Sequence, residues 1–287
     1  MVSQIHILLT YGCTYECDHC FLYSSPHAPG TFTRARIASV LDQARDMGNV
    51  EWIYFEGGEP FLYYAQMVEG LRMARDRGFS TGIVTNGYWA TSEDDAEVWL
   101  RPLAELEVAD ISFSEDDLHG SGETAPVKTA IKAAKKMGLP TGVIQIDSPT
   151  QDKDGGTVKF RGRAVDKLAA GLPRRPANQF NECPFEDLQT PERVHVDPYG
   201  NVQLCQGLVV GNMWKKPLSQ IFAEYDAARH AVCKPLVKGG PALLAETFGV
   251  PSEDGYLDAC HLCFLTRRAL LERFPDHLAP RQVYGLE

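Results

Sequence analysis

At 287 residues, 44% hydrophobic and 23% charged, the chain can bury one large core, or one core with a smaller appendage. Its 28 basic against 38 acidic residues give a net charge of −10 with no long basic stripe, which argues against a nucleic-acid partner. No apolar run reaches the length of a membrane span and no signal segment precedes the first strand. The expectation is therefore a cytoplasmic chain whose eight cysteines, by their tight spacings, suit metal ligation better than disulfides.

The chain opens on an apolar strand over 4–10, followed at once by Cys13, Cys17 and Cys20 at C-x3-C-x2-C spacing. Three thiolates on one loop can hold a cubane iron–sulfur cluster and leave one iron open to a small molecule. Structural zinc is the rival, with His19 as fourth ligand, although Cys17, His19 and Cys20 lie too close in sequence to close a tetrahedron easily. Periodicity then predicts a helix from Thr33 ending at Gly48, a strand over 50–55, a helix over 61–77 and a strand over 79–85. A helix within 92–106, a strand over 108–114, a helix ending at Gly138 and a strand over 139–146 follow. A sixth strand is expected over 157–161, leading into a short helix over 164–170.

Strands alternating with helices of this length predict βαβ units and a parallel sheet. Six units are too few for a closed eightfold barrel, so the expected fold is α/β: a partial (β/α)6 TIM-like barrel over 1–170. Polar residues share one strand face in three places: His6 with Thr10, Asp110 with Ser112 and Ser114, and Gln145 with Asp147. That pattern predicts a wet lumen that holds ligands. A Pro-rich stretch at 171–176 marks the boundary to a second domain over 171–287, expected to be small, with a β-hairpin and helices.

After the second strand comes Glu56-Gly57-Gly58-Glu59-Pro60, where the glycines permit close backbone approach and Pro60 can start a helix. Together with the cysteine loop, this turn resembles the radical S-adenosylmethionine (SAM) superfamily. The resemblance implies that Cys13, Cys17 and Cys20 hold a [4Fe–4S] cluster whose open iron chelates SAM. An electron from it would cleave SAM to methionine and a 5′-deoxyadenosyl radical that removes hydrogen from a substrate. It further implies that Gly57, Gly58, Glu59 and Pro60 meet the SAM amino group, and that Ser112, Ser114 and Glu115 contact its ribose and methionine parts. Thr85-Asn86-Gly87 is a softer match at the end of the third strand. In Arg161-Gly162-Arg163-Ala164 an arginine would pair bidentately with the SAM carboxylate; a surface salt bridge is the alternative. His19 stands where the family usually has Tyr or Phe before the third cysteine, and its ring could stack near adenine.

The second half carries Cys183, Cys205, Cys233, Cys260 and Cys263. A hairpin pattern over 194–205 contains Gly200 and Cys205 as G-x4-C, and Cys260-x2-Cys263 precedes a helix over 265–274. These features resemble the auxiliary-cluster extension called SPASM or, in shorter form, twitch; the C-x2-C-x5-C-x3-C run of the full version is missing. The resemblance implies a second [4Fe–4S] cluster on Cys183, Cys205, Cys260 and Cys263, with a four-thiolate zinc site as rival. Cys233 is left over, most simply as a buried structural thiol.

The expected function is a radical SAM enzyme acting on a peptide or protein side chain, a peptide maturase, supplied by an electron donor such as flavodoxin or ferredoxin. One alternative is oxidation or rearrangement of a small molecule, a sugar, amino acid or nucleotide. It is favoured by the absence of a leader-recognition module ahead of a barrel that starts at residue 4. Another is a non-catalytic zinc or iron–sulfur scaffold. Asp116, His119, Asp147 and Tyr199 are expected, from predicted position, to touch substrate or move a proton.

Overall fold

A computed structural model describes residues 2–119, 125–149 and 158–286. Strands β1 (Gln4–Thr10), β2 (Trp52–Gly57), β3 (Ser80–Thr85), β4 (Asp110–Ser114) and β5 (Thr141–Ile144) pair in parallel, each with the next. Helices α1 (Arg34–Met47), α2 (Tyr64–Asp76), α3 (Glu93–Glu105) and α4 (Ala125–Lys136) make the crossovers. The first shows why: Thr33 caps its start by accepting the Arg36 amide. Ile37, Val40, Leu41 and Ala44 bury one stripe, and Gly48 closes it in the left-handed conformation. The wholly apolar strand residues Ile5, Ile7 and Leu9 are buried under this layer, as expected where helices cover a parallel sheet.

The sixth parallel strand differs from the expectation. Thr157 lies outside the described residues, and Val158–Arg161 form no ladder. Instead β6 (Arg193–Val196) adds to the free edge of β1, with His6 opposite His195, and continues antiparallel into β7 (Asn201–Cys205) and β8 (Leu208–Asn212). One eight-stranded sheet therefore runs β5-β4-β3-β2-β1-β6-β7-β8, across the 171–176 stretch. The alternating sequence Val158-Lys159-Phe160-Arg161 reads as a strand, but its groups have other partners. Val158 and Phe160 pack with Ala164 and Leu257, and the Phe160 amide donates to Asp258 at 3.1 Å. β5 is also shorter than expected, because the chain leaves the sheet at Ile144; Gln145 and Asp147 lie on the irregular segment after it.

The expected hairpin forms as β6 and β7. Its turn is held by the buried Asp197 carboxylate, which accepts the Tyr199 and Asn201 amides at 2.9 Å and the Gln203 side chain at 3.1 Å. The same carboxylate takes the Tyr11 hydroxyl at 3.1 Å, which ties the hairpin to the start of the cysteine loop. Beyond it lie α5 (Arg163–Lys167, earlier in the chain), α6 (Leu218–Glu224), α7 (Cys233–Phe248, broken at Gly239 and Gly240) and α8 (Ala259–Leu270). The last begins before the predicted 265, because Asp258 caps it by accepting the His261 amide at 2.7 Å; Cys260 and Cys263 thus sit in its opening turns, not ahead of them. No described helix is long and apolar enough to cross a membrane.

His230, buried where β8 meets α7, has both ring nitrogens committed. Nε2 faces the Val209 carbonyl at 2.9 Å and Nδ1 accepts the Cys233 amide at 3.0 Å. Burial lowers its pKa from about 6.5 to about 4, so the unfolded chain binds the proton more readily between those values. Stability is therefore full above pH 6.5 and falls as the pH drops toward 4, by up to about 3 kcal/mol from this residue. Urea unfolding at pH 7 and pH 5 should show a smaller loss in His230→Gln than in the parent chain.

Candidate active site

The cysteine loop leaves β1 through a turn in which the Gly12 amide donates to the Thr10 hydroxyl at 2.9 Å and the Cys13 amide to the Ser25 carbonyl at 3.0 Å. Farther along, the Cys20 amide donates to the Cys17 carbonyl at 3.0 Å. Cys13, Cys17 and Cys20 all face one cavity of about 290 Å3, opposite Gly57, Gly58 and Asn86. Burial pushes the Cys13 thiol up to about 12, so a free thiolate is disfavoured there and a bound cation is what would hold it deprotonated. Asn86 Nδ2 lies 3.7 Å from Cys13 Sγ, and the Tyr15 amide donates to the same sulfur at 3.4 Å.

The glycine turn is shaped for contact with this loop. A side-chain carbon on Gly58 would lie 2.0 Å from the Gly12 carbonyl oxygen, and no L side chain fits there. The amides of Gly58 and Glu59 donate to the Thr10 and Gly12 carbonyls at 2.7 and 2.9 Å. Glu59 itself points away from the cavity. Its fully buried carboxylate accepts the Phe61 amide at 3.0 Å, the Thr85 hydroxyl at 2.9 Å and the Asn86 amide at 2.8 Å. Glu59 thus joins the turn to the end of β3, with its carboxyl raised to about 7 by burial despite those donors. Pro60, itself buried, opens a 3-10 turn and does not line the cavity. Gly58→Ala should force turn and loop apart, at about 3 kcal/mol or more because the obstacle is backbone. Thermal melting and iron uptake by the loop would both fall.

Residues 158–163 connect the two cysteine sets. Gly162 has φ 61 and lies so close to the loop that a side-chain carbon would sit 2.4 Å from Phe21 Cα. Arg163 is buried and pins the loop, donating from Nη1 to the Cys17 carbonyl and from Nη2 to the Ser24 carbonyl, both at 2.8 Å. Its neighbour Arg161 lines the cavity, lies over the Phe21 ring at 4.9 Å and donates from Nη1 to Cys205 Sγ at 3.0 Å. Arg267, also buried, donates to the Gln206 carbonyl at 3.0 Å and approaches Cys263, Cys205 and Cys260. Among the described residues neither Arg161 nor Arg267 has a carboxylate salt-bridge partner. Two buried guanidinium groups beside Cys205, Cys260 and Cys263 require compensating negative charge, which metal-bound thiolates would carry.

Zinc and cluster make different demands on spacing. Sulfurs around one tetrahedral zinc lie about 3.8 Å apart, from the Zn–S length. Among the described residues, the groups whose ligand atoms all fall within 4.8 Å are His6 with Glu56 and His195, and His19 with Asp116 and His119. Neither cysteine set is among them, so both are spread more widely than one zinc ion asks. Cys233 is a fully buried free thiol at the start of α7.

The remaining predicted residues divide. Ser114, His19 and His119 line the cavity, and the two imidazole rings meet edge to face at 4.5 Å. Asp116 lies beneath them, accepting the Leu118 and Ile146 amides and facing His119 Nδ1 at 2.8 Å. Burial would raise its pKa, but the His119 contact prevails and holds it low. Ser112 bonds Asp110 at 3.0 Å, away from the cavity lining, and Glu115 turns toward Lys128 at 3.9 Å. Asp147 is exposed after β5, and Tyr199 packs on Tyr11 at the hairpin turn; neither lines the cavity. The sequence reading missed Phe21, Lys159 and Arg267, whose positions come from long-range packing.

Comparison with known proteins fits this geometry. The family model described as Radical SAM superfamily matches residues 7–148. YydG of Bacillus subtilis, named as a candidate peptide biosynthesis protein, is 23% identical over 208 residues. The alignment covers 69% of this chain and 65% of YydG, so the chain spans just under two thirds of that relative. Among solved structures, native anSMEcpe with bound AdoMet superposes with a TM-score of 0.51 at 14% identity, covering 100% of this chain and 99% of that one. BtrN in complex with AdoMet and 2-DOIA gives 0.52 at 18% identity, covering 77% of this chain and 82% of its own. Residues 7–148 are a Radical SAM superfamily domain, and a [4Fe–4S] cluster with S-adenosylmethionine is the cofactor pair this membership implies.

Proposed function

We propose that the chain is a radical SAM enzyme that abstracts hydrogen from a peptide or protein side chain. The observation that carries this reading is the convergence of Cys13, Cys17 and Cys20 on one cavity walled by Gly57 and Gly58. When bound and reduced, the cluster supplies the electron that splits SAM. The chain's own residues do the rest. Gly57 and Gly58 let the backbone approach the SAM amino end, Arg161 offers a guanidinium edge to its carboxylate, and Ser114 lies on the same wall. Phe21, Ile144, Ile146 and Val158 give the cavity an apolar wall.

His119 is the residue placed to move a proton. Its Nδ1 is oriented by Asp116, which leaves Nε2 as the exchanging atom beside the cavity. Similarity to YydG through 69% of the chain favours a peptide over a small molecule. Cys183, Cys205, Cys260 and Cys263 would hold a second [4Fe–4S] cluster, with Arg161 and Arg267 balancing its charge, in a twitch-like domain over 171–287. A flavodoxin- or ferredoxin-class donor would reduce the protein.

Anaerobic reconstitution, reduction and an assay for 5′-deoxyadenosine test the reading. Reductant-dependent cleavage of SAM, with deuterium moving from a labelled peptide into 5′-deoxyadenosine, is the expected result. Failure of the reconstituted, reduced protein to cleave SAM would leave a scaffold role in its place.

A further inference from the structure

Three ligand-type side chains meet on the lumen side of the sheet, apart from both cysteine sets. His6 stands on β1, His195 directly opposite it on β6, and Glu56 on β2, two residues beyond Tyr54, the partner of His6 on that strand. His6 Nδ1 lies 3.3 Å from Glu56 Oε2, and His195 Nε2 lies 3.1 Å from Glu56 Oε1. Both histidines are buried, at 8% and 4% exposure, and Tyr54 stacks on the His6 ring at 4.5 Å.

An ordinary account would make this a buried carboxylate hydrogen-bonded to two imidazoles. The directions suit it only in part. Neither ring nitrogen of His6 has a hydrogen-bond partner among the described residues, and Nδ1 of His195 also lacks one. His195 Nε2 does meet Gln206 Nε2 in a 3.4 Å hydrogen bond, so three of the four ring nitrogens are left without a partner among the described residues. Buried polar nitrogens are rarely left so. Lone pairs converging on a common point, rather than N–H groups aimed at oxygens, are what a metal ion requires. The three ligand atoms lie within 4.8 Å of one another, and each Glu56 oxygen stands 3.1–3.3 Å from one imidazole nitrogen, close to the roughly 3.0–3.4 Å between neighbouring ligands of one ion at about 2.0–2.1 Å.

We propose that His6, Glu56 and His195 form a mononuclear site for a divalent transition metal of the zinc(II) class. Two imidazoles and one carboxylate suit zinc, iron(II) or manganese(II), not the all-oxygen preferences of calcium or magnesium. Glu56 also lines the cavity, so the metal's remaining positions face the chamber, where water or a substrate oxygen can complete the shell.

The test uses reconstituted protein with both cysteine sets loaded, desalted, given one equivalent of zinc chloride and passed through gel filtration. Iron, sulfide and zinc are then counted per chain. One metal ion beyond the sulfide-matched iron, whether zinc or iron taken up during reconstitution, is the expected result. Glu56→Gln and His6→Ala should weaken zinc retention roughly tenfold or more, since even outer partners of metal ligands are worth that much. The parent chain also decides the matter without variants. Cobalt(II) in the site should give d–d bands without a sulfur-to-cobalt charge-transfer band, and zinc should raise the melting temperature over an EDTA control. No excess metal in the parent chain, equal retention by Glu56→Gln, or a sulfur-to-cobalt band would overturn the proposal. The iron and sulfide counts report separately on the cysteine sets, so this site can fail while the radical SAM reading stands.

Discussion

Cys17→Ala should bring 5′-deoxyadenosine formation to background and remove about half of the iron that the parent chain takes up, if each cysteine set holds one cubane. Each iron of a cubane needs its own ligand, and one corner must remain free for SAM. Losing one of three thiolates therefore leaves two open irons and a cluster that does not persist. Global unfolding should not explain the loss. The loop backbone is held by Arg163, through the carbonyls of Cys17 and Ser24, and by the Arg163 amide on the Cys20 carbonyl. None of these contacts uses the Cys17 side chain, so cluster-free variant and parent should differ by about 1 kcal/mol in urea unfolding. Iron and sulfide analysis beside the 5′-deoxyadenosine assay checks the result. A variant that keeps its full iron and still cleaves SAM would remove Cys17 from the ligand set.

Much of the site was legible because its residues are neighbours in sequence. The cysteine spacing and the glycine turn each occupy a few consecutive positions at a strand end, where local pattern and location coincide. The misplaced sixth strand shows the limit. Val158-Lys159-Phe160-Arg161 alternates as a strand should, but alternation says nothing of whether a neighbouring edge is free. Here β6 takes the open edge of β1, while the Phe160 amide is used by Asp258, 98 positions away. Glu59 teaches the same lesson for side chains. Its motif position suggests a ligand contact, yet its carboxylate faces donors of the β3 end, and only the fold brings Thr85 and Asn86 there. The histidines of β1 and β6 could not be paired from sequence, since their register depends on that same long-range choice of edge.

Arg161 lines the cavity of the first cysteine set and bonds Cys205 of the second, so its replacement should be felt at both. The guanidinium is buried, donates from Nη1 to Cys205 Sγ at 3.0 Å, lies over the Phe21 ring, and has its Nε without a hydrogen-bond partner among the described residues. A buried cation costs several kcal/mol of desolvation unless an anion answers it, and no carboxylate is within salt-bridge reach among the described residues. Beside the more distant Glu186 and Asp258, we expect metal-bound thiolate on one side and the SAM carboxylate on the other to answer it. A hydrogen bond to a charged group contributes about 1.5–3 kcal/mol, so Arg161→Met should weaken SAM binding roughly 10- to 150-fold. Arg161→Lys restores the charge without the planar fork and should recover only part of that loss. The loop cluster should stay intact in both variants, because Arg163 rather than Arg161 holds its backbone. Titration of SAM into reconstituted protein, read beside electron paramagnetic resonance of the reduced clusters, separates the two roles. Weaker SAM binding together with an altered signal from the second cysteine set is the expected pair of results. Unchanged SAM affinity with a disturbed second set would confine Arg161 to balancing the charge around Cys205.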